Sequence, residues 1–463
     1  MTASLDLSHR LYHLLLGLAA VALGVLAGVD PRFGLAAAIG LAFMVLVMGD
    51  LTFGLCAFAV VAFLDLLPQL GGSLLSFSKI VGLLLAISWI AKTTSARESR
   101  NDFMATHPVF TYVLGMFIAW AAVSLLWAED ASLVDTPLMR YALNLILFLI
   151  VFTAVRTPKQ LVWTLSAYVI GATAAAAYGL AKPPADTAYY DVQRVAGTLG
   201  DPNELASVLV PAIVIAFGLA TVLKRAPLLR LALVGAALVC AAGIFLTLSR
   251  GGLIALGVAL VASVVVAGRW RPQALVLATA AALGVTFWFG FVATDDQVNR
   301  VTHIEGGTGR TDLWEIGTRM IADKPVTGVG LGNFETASIH YLLEPGAIQR
   351  DEFIVDQPKV AHNTYLHVTA ELGAVGAALF AVILGFVLFC VLRAAREFEQ
   401  MGERELELLA RTLLVALIGI LVADFFISEQ FSKQLWLLLG LGPAMLGVAK
   451  AVREGHAPGW GSG

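Results

Sequence analysis

The chain has 463 residues, 59% of them hydrophobic and 14% charged, with a formal net charge of −3. A soluble domain carries about a quarter charged residues, so this composition, with a mean hydropathy of +0.83, excludes an ordinary water-soluble protein. The charge gives no reason to expect a nucleic-acid partner, and Cys56, Cys240 and Cys390 lie in apolar runs without disulfide or zinc-type spacing.

The apolar runs recur at roughly 17–25 residues, the length a helix needs to cross a bilayer. Inside lipid the backbone must satisfy its own hydrogen bonds, so these runs are expected to be helices. In chain order, fourteen candidates fall at about 11–28, 33–49, 51–67, 74–91, 108–127, 138–156, 159–180, 203–223, 230–248, 251–267, 273–293, 363–392, 412–427 and 433–449. The second and third share one weak break at Asp50. The predicted fold class is therefore an all-α polytopic membrane protein with about 12–14 transmembrane helices. The opening "MTASLDLSHR" has little positive charge and no cleavage site after it, so it reads as a short tail and not as a cleaved signal.

More than half of the 30 basic residues, among them Lys92, Arg156, Lys224, Arg269, Arg393 and Arg411, lie in one set of short loops or near the two ends. That bias predicts a cytoplasmic location for those loops and both termini. The opposite side includes 128–136, 181–202 and one large insertion. The expected organisation is transmembrane helices 1–11 over 1–293, a large loop over 294–362, and C-terminal transmembrane helices with a cytoplasmic tail over 363–463.

The insertion is too long for a mere connector. It holds "GRTDLWEIGTRMIADKP" (309–325), where Thr311 or Asp312 is expected to cap a helix and Lys324-Pro325 to end it. Leu313, Ile316, Gly317, Met320 and Ile321 recur at helical spacing, so this short helix is amphipathic and lies on the membrane surface or packs on the bundle. "GVGLGNFE" (328–335) reads either as a loop that cradles phosphate or as a tight packed turn.

Polar motifs crowd the same predicted face: "RVAGTLGDPNELA" (194–206), "LTLSRGG" (246–252), the 309–325 segment and "AHNTYLH" (361–367). Arg250, Arg310 and His362 each fall at a predicted helix N-terminus, where free N–H groups and the helix dipole favour anions. The planar fork of arginine suits phosphate oxygens. Two other readings stand beside this one: an interfacial arginine snorkels to headgroups, or it pairs with a carboxylate of the loop, which has eleven Asp and Glu against six Lys and Arg. A helix N-terminus also disfavours imidazolium, which would leave His362 neutral and able to accept a proton, unless it is only an interfacial histidine. Asn363 and Thr364 are expected to cap the helix or orient the ring, and Asp201 and Glu204 to serve as caps and polar surface. His367 and Glu371, four residues apart, form a pair on one helical face. A metal site from His362, His367 and Glu371 is disfavoured, because five-residue spacing turns the imidazoles apart and HExxH is missing. Asp65, Arg140 and Asp424 fall in or near spans.

The motifs "GTLGDPNELA", "LTLSRGG", "GRTDLWEIGTRMIADKPVTGVGLGNFE" and "AHNTYLHVTAELGAVG" occur in this order over about 190–390. As a set they resemble the bacterial O-antigen ligase and O-antigen polymerase superfamily, GT-C-type membrane glycosyltransferases. The closing "SEQFSKQLWLLLGL" (428–441) is similar to the exosortase-associated ligase-like branch. The resemblance implies a GT-C-type bundle in the bacterial inner membrane with its active site facing the periplasm. It implies inverting transfer of a glycan from undecaprenyl pyrophosphate to an acceptor hydroxyl, on lipid A–core or another glycan, with no cofactor and no metal. It carries His362 over as the general base and Arg250, Arg310 and Arg194 as pyrophosphate-binding groups, with Asn203 in support. Asn363 and Asp201 join them from their positions at the helix starts. The insertion is modest in length, which leaves fewer elements to recognise a large acceptor. Polymerisation of lipid-linked repeats and glycosylation of protein are alternatives within this class. A lipid-linked glycan transporter fits the span count, but the chain shows no internal repeat, and a membrane scaffold is the remaining alternative.

Overall fold

A computed structural model of the chain describes residues 17, 20–64, 77–95, 103–182, 193–302, 310–342 and 359–460. The expected N-terminal tail up to residue 16, Asp65 and part of the 181–202 loop lie outside the described residues. Among those described there are helices and no strands. In chain order the helices are α1 (Ala20–Val29), α2 (Pro31–Gly49), α3 (Leu51–Val61), α4 (Phe77–Ser95), α5 (Phe103–Thr106), α6 (Pro108–Val123), α7 (Asp135–Ala154), α8 (Pro158–Ala181) and α9 (Pro202–Val222). They continue with α10 (Pro227–Thr247), α11 (Arg250–Val266), α12 (Arg271–Phe287), α13 (Asp295–Thr302), α14 (Arg310–Asp323), α15 (Phe334–Leu342), α16 (Thr364–Met401), α17 (Arg404–Ala423) and α18 (Lys433–Arg453).

Nine helices among the described residues are long and apolar enough to cross a membrane, and Ala20–Val29, Phe33–Gly49, Leu51–Val61 and Arg250–Val266 are shorter apolar helices. The protein is thus an all-helical, multi-pass membrane protein. The weak break at Asp50 is a real boundary, because its carboxylate accepts from the N–H groups of Thr52 and Phe53 and caps α3. Proline opens α6, α8, α9 and α10, where its missing N–H costs nothing.

The bundle is layered. In α9 and α18, 78% of the apolar window is buried inside the protein, and in α12 none of it is. α9 packs against α8, α10, α11 and α17, while α18 packs against α7 and α16, so these two are central and α12 is peripheral. At the end where α17 begins, Arg411 Nε lies 2.8 Å from Glu407 Oε1 and Arg269 Nη2 2.9 Å from Glu407 Oε2.

The described part of the insertion packs on the other end. α14 starts at Arg310, ahead of Thr311 and Asp312, and Asp312 is buried instead of capping. Its apolar face, with Leu313, Ile316 and Met320, joins Val329, Phe334, Ala337 and Ala361 in a second small core. The amphipathic helix therefore packs on protein. The turn at 328–333 is also a packing device. Its amides are used: Val329 and Gly330 N–H donate to Ala370 and Glu371 carbonyls, both at 2.9 Å, and Leu331 N–H donates to Ser124 Oγ at 3.1 Å. That leaves no phosphate cradle. Gly330 has φ 104°, and a Cβ there would strike the Ala128 backbone, so a side chain would break the docking.

Candidate active site

Two of the sequence motifs meet around one side chain, that of Asn203. Asp201 caps α9, accepting from the N–H groups of Asn203 at 2.6 Å and Glu204 at 3.1 Å. That leaves the Asn203 amide oxygen to accept from Arg194 Nη2 at 3.0 Å and from Ser249 Oγ at 2.9 Å. Arg194 is 7% exposed, and its Nε donates to the Thr247 carbonyl at 2.7 Å. Ser249 in turn caps α11 through the Gly252 N–H. The glycines of "SRGG" serve closeness: a Cβ on Gly251 would meet Phe426, and one on Gly252 would meet Ala206. Arg250, the first residue of α11, projects toward α13 and donates from Nε and Nη2 to the Arg300 carbonyl at 3.0 and 2.7 Å.

His362 stands just before α16. Asn363 is the N-cap, its side chain accepting from Tyr365 and Leu366 N–H at 3.0 Å each. His362 itself has φ 49°, a left-handed conformation rare for a residue with a side chain. Its Nδ1 is buried and has no hydrogen-bond partner among the described residues. Trp314 Nε1 of α14 holds the preceding carbonyl, that of Ala361, at 3.1 Å. The pKa of His362 is lowered to about 4, first by burial and then by the positive charge of Arg310, with Asp201 opposing. The neutral imidazole expected from the sequence is thus present, but desolvation is its main cause where the helix dipole was expected. Those neighbours bring Arg310 and Asp201 to the same histidine.

Sequence reasoning noted Asp424 and the motif beginning at Ser428 but gave no site role to the segment 424–432, between α17 and α18. It wraps the start of α16. Thr364 N–H donates to the Asp424 carbonyl at 2.9 Å, Thr364 Oγ1 donates to the Ile427 carbonyl at 2.8 Å, and Glu429 N–H donates to Thr364 Oγ1 at 2.8 Å. Glu429 is half-buried. Its acid is raised well above the usual range by burial and by the nearby carboxylates of Glu204, Asp424 and Asp201, with Arg140 opposing. Arg140 and Asp424 therefore belong to this end of the bundle. The "SEQF" of the closing motif was the available signal, but its resemblance gave no roles to these residues.

His367 and Glu371 pair as expected, Nε2 to Oε1 at 3.1 Å, and both are buried. Among the described residues no group of three His, Cys, Asp or Glu is placed to hold a metal ion.

The fold and the site define a class: a multi-pass helical membrane protein with arginines, a neutral histidine and buried carboxylates gathered at one end. Residues 235–381 match the family described as O-antigen ligase. The matched stretch contains Arg250, Arg310, His362 and Asn363, and stops short of Arg194, Asp201, Asn203 and the 424–432 segment. It supports the O-antigen ligase superfamily that the motifs resemble, and a glycosyltransferase of ligase or polymerase type acting on lipid-linked glycans. Among curated proteins none matches the chain.

Proposed function

We propose that the protein is an inverting glycosyltransferase that moves a glycan from undecaprenyl pyrophosphate to an acceptor hydroxyl at the periplasmic face of the inner membrane, as an O-antigen ligase does. The observation that carries this reading is a neutral His362 with a buried, unpartnered Nδ1 beside Arg310, Asp201 and the knot around Asn203. The acceptor hydroxyl is a poor nucleophile and needs a base; His362 takes its proton as oxygen attacks the anomeric carbon from the face opposite the leaving group. Charge then grows on the bridging oxygen of the pyrophosphate. Arg250 and Arg310 stabilise it from the ends of α11 and α14, with Arg194 behind them. Pyrophosphate needs little acid assistance, so these groups suffice without a cation.

A base with a pKa of about 4 is weak in the free protein. The donor corrects this, because its negative diphosphate beside the imidazole favours the imidazolium and lifts the pKa toward working pH. Base strength is then greatest when the donor is bound. Replacement His362→Ala should lower transfer on the order of 10²–10⁴-fold while leaving membrane expression intact; a wild-type rate in that variant would remove His362 as the base. Glycan analysis of a deletion strain separates the two acceptor readings. A ligase leaves lipid-linked polymer unattached, whereas a polymerase leaves single lipid-linked repeats.

A further inference from the structure

We propose that Ser428, backed by His367 and Glu371, is the positioning group that locks the His362–Asn363 peptide and so aims the base. This rests on His362 acting as the base.

The argument starts at the buried end. The Glu371 carboxylate can only accept, and it already takes the Phe334 N–H at 3.2 Å, so the His367 Nε2 that faces it at 3.1 Å carries a proton. In the neutral tautomer Nδ1 is then an acceptor. Ser428 Oγ lies 3.1 Å from it and donates. With its hydrogen committed, the hydroxyl presents a lone pair to the Asn363 N–H, which donates to it at 3.3 Å. The chain of bonds thus has one direction, from the Asn363 amide through Ser428 and His367 to Glu371.

That amide belongs to the peptide joining His362 to Asn363, so holding it fixes ψ of His362. A left-handed residue with a side chain persists only where its surroundings over-determine it. Here they do: Trp314 holds the carbonyl before His362, Ser428 holds the amide after it, and the Asp424 carbonyl holds the next one. His367 is 6% exposed and its ring lies 5.0 Å from that of Phe334, with both nitrogens engaged, so it is placed to hold and not to react. An i,i+4 histidine–glutamate pair serving only helix stability would have no use for a serine 61 residues away.

The test compares Ser428→Ala, Ser428→Thr, Glu371→Leu and His362→Ala in the full chain, assayed with lipid-linked oligosaccharide over a range of donor concentration. Loss of aim should lower kcat about 10–100-fold in Ser428→Ala and Glu371→Leu, with donor KM changed less than about twofold. Ser428→Thr, which keeps the hydroxyl, should retain most of the rate. A kcat for Ser428→Ala near wild type, or a Ser428→Thr no better than Ser428→Ala, overturns the proposal. If Ser428→Ala fails to accumulate, Glu371→Leu, which has no acceptor for His367, decides alone: lowered kcat at constant KM supports the relay, and unchanged kcat removes it. An inactive His362→Ala beside a fully active Ser428→Ala sinks only the relay, whereas an active His362→Ala sinks the base assignment itself.

Discussion

Where α17 begins, Glu407 is fully buried and has guanidinium groups of Arg411 and Arg269 within 3 Å. Where it ends, Asp424 is 1% exposed, and neither carboxylate oxygen has a hydrogen-bond partner among the described residues. One helix thus carries two buried acids treated in opposite ways. At the first end Arg411 also reaches Glu399, and Glu397 is flanked by Arg393 and Arg453, so charge is neutralised within the protein. At the second end the caps are satisfied, yet His362 Nδ1 and the Asp424 carboxyl are left over. Buried polar atoms in native proteins are nearly always paired. Among the described residues, Glu407 Oε2 and Glu397 Oε2 at the first end also lack a hydrogen bond but face Arg269 and Arg453 at 2.9 and 3.4 Å, so the two ends differ in whether a guanidinium stands opposite the leftover atom.

The sharpest way to break the contrast is Glu407→Ala. It removes the carboxylate shared by Arg411, which keeps Glu399, and by the exposed Arg269, and the loss of a buried ion-pair partner costs up to about 3–5 kcal/mol. Thermal melting in detergent should fall steeply, with kcat per folded molecule unchanged; a catalytic loss at constant stability would mean that the two ends are not separate in role. Next comes Arg250→Ala. It should reduce kcat/KM on the order of 10²-fold, as for other preorganised charge-stabilising groups, while melting barely moves. Lysine should restore only part, lacking the two-pronged fork.

The smallest effect is read in pH. Because burial and Arg310 hold His362 down at about 4, kcat/KM of the free protein should stay flat from pH 7 down to about 5 and halve near 4. An ordinary histidine would halve it at about 6.5. The acid limb of kcat should lie higher, since bound diphosphate raises the same group. Stability follows the same sign. The unfolded chain takes the proton first, so the contribution of His362 is present above about 6.5 and is lost as pH falls toward 4. A kcat/KM limb at 6.5 would place His362 outside the buried, positive setting that the other end lacks.

Much of this was legible in sequence. Period, length and cap residues located the helices, and even the break at Asp50 proved to be a cap. The ordered motifs named Arg194, Asn203, Arg250, Arg310 and His362. Three things were hidden. Asn203 as the meeting point of Arg194 and Ser249 depends on how two hairpins pack, which no local pattern encodes. The choice between phosphate cradle and packed turn at 328–333 turned on whether its amides were already spent. Ser428 and Glu429 lie in the closing motif, which gave them no role; their importance comes from lying against Asn363 and Thr364, more than 60 residues earlier.

The wrapping of 424–432 around the start of α16 has a consequence in time. Chains emerge from the ribosome N-terminus first. Arg194, Arg250, Arg310 and His362 are all synthesised before Asp424 and Ser428, two of the residues that hold the start of α16 in place. A nascent chain with most of its helices inserted would therefore have the proposed anion-binding arginines but not the aim of the proposed base. On this view, competence for transfer arrives late, when the connection between α17 and α18 folds back onto a helix that has been waiting for it.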